Sequence, residues 1–216
     1  LPISATEPRH GVSEGAASHR TASLIGCGAM AGAFVVAASM VARLMAAPPE
    51  ARVVTETLGS WMSVGDFSVA FALRLDALSA VMVLVVTGIG LLIHIYSAAY
   101  MHAESGRELA RYFSYLNLFA AFMLVLVIGA NFLVMFVGWE GVGLCSYLLI
   151  GFWFTDEQKA AAGKKAFITN RVGDFGFLIG MFTLFALFGT LNVKELKTRA
   201  AEVSRRSETV AGETLK

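Results

Sequence analysis

Few side chains in this sequence could move a proton or an ion, and they stand where charge is costly. Glu140 is the single ionisable residue between positions 131 and 154, NFLVMFVGWEGVGLCSYLLIGFWF. Arg171 and Asp174 follow in KKAFITNRVGDFGFLIG, three residues apart and so on one face of a helix. Apolar surroundings favour the protonated form of a carboxyl group, and a neighbouring cation favours the charged form. An acid switched between those forms by the movement of a nearby charge is the physical minimum for proton transfer. Ionisable groups inside a membrane face protein or water and commonly mark ion paths. The plainer alternatives are a structural carboxylate at Glu140, satisfied by hydroxyl or backbone groups, and a self-neutralising pair at Arg171 and Asp174. The offset expected between Glu140 and Asp174 is several ångströms (on the order of one helical turn), a gap that water or a third helix has to bridge.

The remaining polar groups are weaker candidates. Lys164 and Lys165 stand at the mouth of the same apolar stretch. Lys164 reads as a side chain snorkelling to the interface, and Lys165 either as the same or as an entrance to the path. His94 and His102 titrate near physiological pH, but one falls near the end of an apolar run and the other in a polar connector, which suits interfacial placement. Asn117, Thr169 and Asn170 are read as hydrogen-bonding across helices without doing chemistry. Ser146 has no adjacent histidine, and no cluster has metal-ligand spacing. C-x-x-C, H-E-x-x-H, phosphate-loop and dinucleotide fingerprints are absent from the sequence. Cys27 and Cys145 lie in apolar runs and read as small hydrophobes rather than as a disulfide.

Composition says what must position these groups. The chain is 56% apolar and 15% charged, with mean hydropathy +0.67, where a soluble globule carries about 25% charge. Charge is confined to short segments between long apolar windows, the pattern of a polytopic membrane protein. The net charge of +1 and the lack of a basic patch interleaved with aromatics give no reason to expect a nucleic-acid partner. The expected fold is an all-α polytopic membrane protein, a partial bundle of about five transmembrane helices. A polar segment covers 1–20 and a transmembrane domain 21–188, with spans near 21–45, 75–96, 112–128, 131–154 and 166–187. An interfacial loop or small hairpin covers 46–74, and a polar tail, amphipathic or disordered, covers 189–216. The short turn at Gly129, Ala130 and Asn131 makes the third and fourth spans antiparallel neighbours. Basic residues divide seven against nine between the two sides, so the positive-inside rule sets no orientation.

Four stretches carry a family resemblance: WMSVGDF (61–67), LRLDALSAVMVLVVTGIGLLIHIYSAAYM (73–101), FVGWEGVGLCSYLLIGFW (136–153) and KAFITNRVGDFGFLIG (165–180). They resemble the L-type antiporter-like membrane subunit of proton-pumping NADH:quinone oxidoreductase, respiratory complex I, whose fold also serves the large subunit of multi-subunit Na⁺/H⁺ antiporters. The resemblance implies a channel module of inverted five-helix repeats in which Glu140 is the central glutamate, paired with a lysine on a later helix. It also implies that Arg171 and Asp174 are the polar pair that follows, with Asp174 influencing pumping; Lys165 stays a further proton-transfer candidate from its place at the mouth of the fifth span. No cofactor or metal is expected in this chain; NADH, FMN, iron–sulfur clusters and quinone would be held by other subunits. The partners implied are other membrane-arm antiporter-like subunits and the lipid bilayer, and the location a bacterial inner membrane. The five spans correspond to the family's second to sixth, so the piece is expected to be truncated and inactive alone. The opposing reading is a structural membrane scaffold whose buried charges are permanently paired.

Overall fold

A computed structural model describes residues 12–65 and 67–214. Residues 1–11 of the expected polar N-terminal segment lie outside the described residues. In chain order the elements are α1 (Val12–Ala46), a short 3-10 turn (Pro49–Ala51), β1 (Val54–Val64), β2 (Phe67–Leu75), α2 (Ala77–Tyr100), α3 (Gly106–Ile128), α4 (Phe132–Ile150), α5 (Glu157–Phe188) and α6 (Val193–Thr214). Five of them, α1 to α5, are long and apolar enough to cross a membrane, a hydrocarbon layer of about 30 Å. The fold is therefore a partial polytopic helix bundle, with one β-hairpin inserted between α1 and α2.

Local sequence sets the helix starts. Asp76 and Ser79 form a reciprocal capping box on α2: the Ser79 N–H donates to Asp76 Oδ1 at 3.1 Å, and the Asp76 N–H donates to Ser79 Oγ at 2.7 Å. Ser105 and Glu108 do the same for α3, so that helix begins at Gly106, ahead of the apolar run at Tyr112. Asp156 accepts from the Gln158 and Lys159 amides, which starts α5 inside the charged connector rather than near Ala166. Each such cap satisfies backbone donors that have no partner within the helix. Gly189 ends α5 with φ +65°, a left-handed conformation that glycine adopts without steric cost.

One end of the bundle is laced by backbone hydrogen bonds. The β1–β2 ladder runs antiparallel from Val54↔Leu75 to Val64↔Phe67, and two turns join it. The Ala130 N–H donates to the Ala72 carbonyl at 3.0 Å, and the Phe132 N–H to the Leu191 carbonyl at 3.0 Å. Asn131 caps α4 through Oδ1, which accepts from the Val134 amide at 2.9 Å, while its Nδ2 donates to the Ala70 carbonyl at 2.9 Å. The hairpin, the α3–α4 turn and the α5–α6 turn thus fix where α4 and α5 enter the bundle. Two apolar clusters hold the rest, one of Ala37, Val41, Leu44, Leu75, Ala80 and Val83, the other of Met101, Leu109, Phe113 and Phe152. Large apolar side chains such as Leu78, Leu92, Val172, Phe175 and Phe182 point outward, the inverse of a soluble protein and the arrangement a lipid solvent favours.

Candidate site: a guanidinium shared by two acids

Glu140 stands roughly 12 Å along α4 from its first residue, near the helix middle. On the antiparallel neighbour α5, Arg171 reaches across and its Nη1 pairs with Glu140 Oε2. The same Nη1 lies 3.3 Å from Asp174 Oδ2, one turn away on α5. Arg171 therefore closes the gap between the two acids directly, where sequence reasoning called for water or a third helix. Asp174 is buried and has a second partner, the Trp139 indole N–H, which donates to Oδ1 at 2.7 Å. Glu140 and Arg171 are only part-buried, and buried Arg171 Nε makes no hydrogen bond.

Packing explains why these four side chains meet. A Cβ on Gly138 would collide with the Leu126 backbone of α3, and one on Gly141 with the Phe122 ring. Those two glycines let α3 press against α4 and leave the opposite side of α4 for α5. Gly143 faces the other way, where a Cβ would come only into ordinary contact with Arg171 Nη2 at 3.9 Å and Asn170 Nδ2 at 4.0 Å, so it borders the arginine without being needed for its passage. Phe177 stacks on both Phe136 and Trp139, at centroid distances of 5.5 and 5.8 Å, which fixes the indole plane that serves Asp174. The Arg171 guanidinium also lies 4.4 Å from the Phe167 ring centroid, a cation–π contact.

Other residues singled out from sequence lie elsewhere. Lys165 is exposed and precedes Arg171 by a stretch that turns the helix to a different flank, roughly 120° away, so it does not join the cluster. Lys164 is also exposed. His94 is buried rather than interfacial: Nδ1 lies 2.7 Å from the Gly90 carbonyl, and the ring sits 5.9 Å from that of Phe113. His102 is exposed at the end of α2, 6.3 Å from the His19 ring. Asn117 and Thr169 bond to carbonyls of their own helices, Phe113 and Lys165, rather than across helices. Among the described residues no group of three His, Cys, Asp or Glu side chains could hold a metal ion, and both cysteines are unpaired. Trp139 was missed from sequence, because a tryptophan in a span reads as packing or as an interfacial anchor. Its position beside the only acid of its helix is the signal that could have found it.

Two family descriptions match. "NADH-Ubiquinone oxidoreductase (complex I), chain 5 N-terminus" covers residues 61–113, and "NADH:quinone oxidoreductase/Mrp antiporter, TM" covers 129–215, which holds the whole Glu140–Arg171–Asp174 cluster. The chain is 46% identical over 190 residues to NADH-quinone oxidoreductase subunit L of Pseudomonas aeruginosa, covering 88% of this chain and 31% of that protein. It is 53% identical over 142 residues to the Escherichia coli subunit L, covering 66% of this chain and 23% of that one. The chain thus spans under a third of the length of these relatives. Among solved structures, the Mrp complex from Dietzia sp. DQ12-45-1b superposes with TM-score 0.64 at 25% identity, over 84% of this chain and 19% of that one. An archaeal membrane-bound sulfane sulfur reductase shares the fold at TM-score 0.58 and 19% identity, over 88% of this chain and 30% of that one. With bacterial relatives and five helices fit to span, this is a multi-pass protein of a bacterial inner membrane.

Proposed function

Because the chain belongs to the antiporter-like membrane-arm subunits of NADH:quinone oxidoreductase, the subunit L family, we propose that it forms part of a proton half-channel in which Glu140 is the relay. The pumping it serves is coupled to electron transfer in other subunits. The observation that carries this reading is Arg171, held between Glu140 and Asp174. Two carboxylates and one guanidinium leave one negative charge in a low-dielectric place, and one proton cancels it. Asp174 keeps the Trp139 N–H whichever way Arg171 leans, whereas Glu140 has, among the described residues, no other hydrogen bond or ion pair to fall back on. Arg171 leaning towards Asp174 uncovers Glu140, which then takes the proton; Arg171 returning expels it. A lysine arriving from outside these residues would compete for Glu140 by the same electrostatics.

On this reading NADH, FMN, iron–sulfur clusters and quinone are handled by other subunits, and the partners in the membrane are other antiporter-like chains. Lys165, on the exposed flank of α5, takes its place at the entrance of the path. A second reading, the large subunit of a multi-subunit Na⁺/H⁺ antiporter, is favoured by the likeness to the Mrp complex and by the shared family description.

The test is Glu140→Gln in the complete parent complex, reconstituted in vesicles with proton uptake measured per substrate oxidised. Intact assembly with uptake greatly reduced supports the relay. Unchanged uptake sinks it in favour of a scaffold, and uptake that follows a sodium gradient without substrate oxidation moves the assignment to the antiporter.

A further inference from the structure

The cation at the proton site also has a partner that carries no charge. Phe167 stands one turn before Arg171 on α5, and helical side chains tilt back towards the helix N-terminus. The arginine therefore leans over Phe167, with its guanidinium carbon 4.4 Å from the ring centroid, well inside the roughly 6 Å reach of a cation–π contact. Phe167 is held in turn from α4, where the Tyr147 ring packs against it at a centroid distance of 5.5 Å with the planes tilted by 58°. Phe167 is half-buried and the Arg171 side chain is 37% exposed, so water competes only in part for the contact.

The ionic contacts of the guanidinium change value when a proton arrives, and this one does not. Nη1 serves both Glu140 and Asp174, so neutralising Glu140 weakens the hold on the cation. Buried Nε has no hydrogen-bond partner and adds nothing to make up the loss. A long cationic side chain inside a membrane snorkels towards water when its partner is lost. The backward tilt of Arg171 sends it towards the start of α5, where Lys164 and Lys165 are exposed, and the Phe167 ring stands in that direction. An aromatic face attracts a cation through its quadrupole but has no atom that takes up a proton. It steadies Arg171 without competing with Glu140 for the proton.

We infer that Phe167 is a positioning residue for the proposed relay. Its ring face keeps the Arg171 guanidinium within reach of Glu140 while that acid is protonated and Arg171 leans on Asp174, so the cation returns to expel the proton instead of snorkelling away. Tyr147 fixes the ring in that place. The inference rests on the reading of Glu140 as the relay.

The test uses the complete complex reconstituted in vesicles, with phenylalanines bearing one, two or three ring fluorines incorporated at position 167 and proton uptake measured per substrate oxidised. Fluorine drains the negative face of the ring and leaves its shape nearly unchanged. Uptake should fall stepwise along the series, by roughly two- to fivefold at its end, the worth of a partly exposed cation–π contact. Phe167→Leu should fall as far, and Phe167→Tyr, which keeps the aromatic face, should restore uptake. A flat fluorine series overturns the role, as does an equal loss in Phe167→Leu and Phe167→Tyr, because either result means that the ring serves only by its bulk. The fluorinated rings decide the matter even where Phe167→Leu fails to assemble. Glu140→Gln, run alongside, separates the two failures. Uptake lost in Glu140→Gln with a flat fluorine series defeats Phe167 alone, whereas uptake unchanged in Glu140→Gln defeats the relay and the place of Phe167 in it.

Discussion

A single guanidinium satisfying two acids creates a dependence that paired charges lack: removing it leaves both acids without their cation. Arg171→Ala should therefore destabilise the bundle, by less than the about 3–5 kcal/mol of a fully buried pair because Arg171 and Glu140 are only part-buried, read as a fall in the denaturation midpoint in detergent. A double-mutant cycle with Glu140→Gln should give a coupling well above the scatter of about 0.3–0.5 kcal/mol seen for independent sites; additive effects would mean that the contact is incidental. Trp139→Phe keeps the stack on Phe177 and removes the donor to Asp174. It should lower proton pumping with assembly intact, and normal pumping in that variant would remove Trp139 from the account. The unusual charges were legible in sequence because each interrupts an otherwise apolar run. The pairing of Glu140 with Arg171 was not, since it depends on how far one helix slides along another. That slide is set by contacts at Gly138 and Gly141 and by the lacing at Asn131, none of which periodicity reports.

Among the elements, the turns decide where the helices stand. Asn131 does two jobs, capping α4 and holding the hairpin at Ala70, so Asn131→Ala should cost about 2 kcal/mol, roughly one cap and one further hydrogen bond. A smaller loss in the denaturation midpoint would show that the lacing contributes little. Asp76 gives α2 a pH dependence. Its partial burial raises the carboxyl, but the Ser79 amide and hydroxyl and the Arg74 guanidinium outweigh that and hold it below the ordinary carboxylate value. The lowered value means that the cap contributes fully at neutral pH and is lost as the pH falls through the folded-state value. Acid-induced loss of helix signal should therefore be shallower in Asp76→Asn than in the parent; parallel acid curves would contradict it. The existence of the five long helices was written in the sequence as five apolar windows. Their true starts were not, because Ser105 and Asp156 extend α3 and α5 into polar stretches through capping bonds that hydropathy does not weigh. The length of the hairpin was equally obscure, since its strands carry no strict alternation.

The described residues form a set of helices turned outward to lipid and fastened at one end by the hairpin, with Glu140 near the middle of α4. In the proposed function, the Glu140–Arg171–Asp174 cluster takes up and gives back a single proton, and Glu140 is the group that carries it. The measurement that tests this most directly is an infrared difference spectrum of the complete complex, recorded between resting and turning-over states. If Glu140 carries the proton, a protonated-carboxyl band changes on turnover, disappears in Glu140→Gln and persists in Trp139→Phe. A band that survives Glu140→Gln unaltered would contradict it.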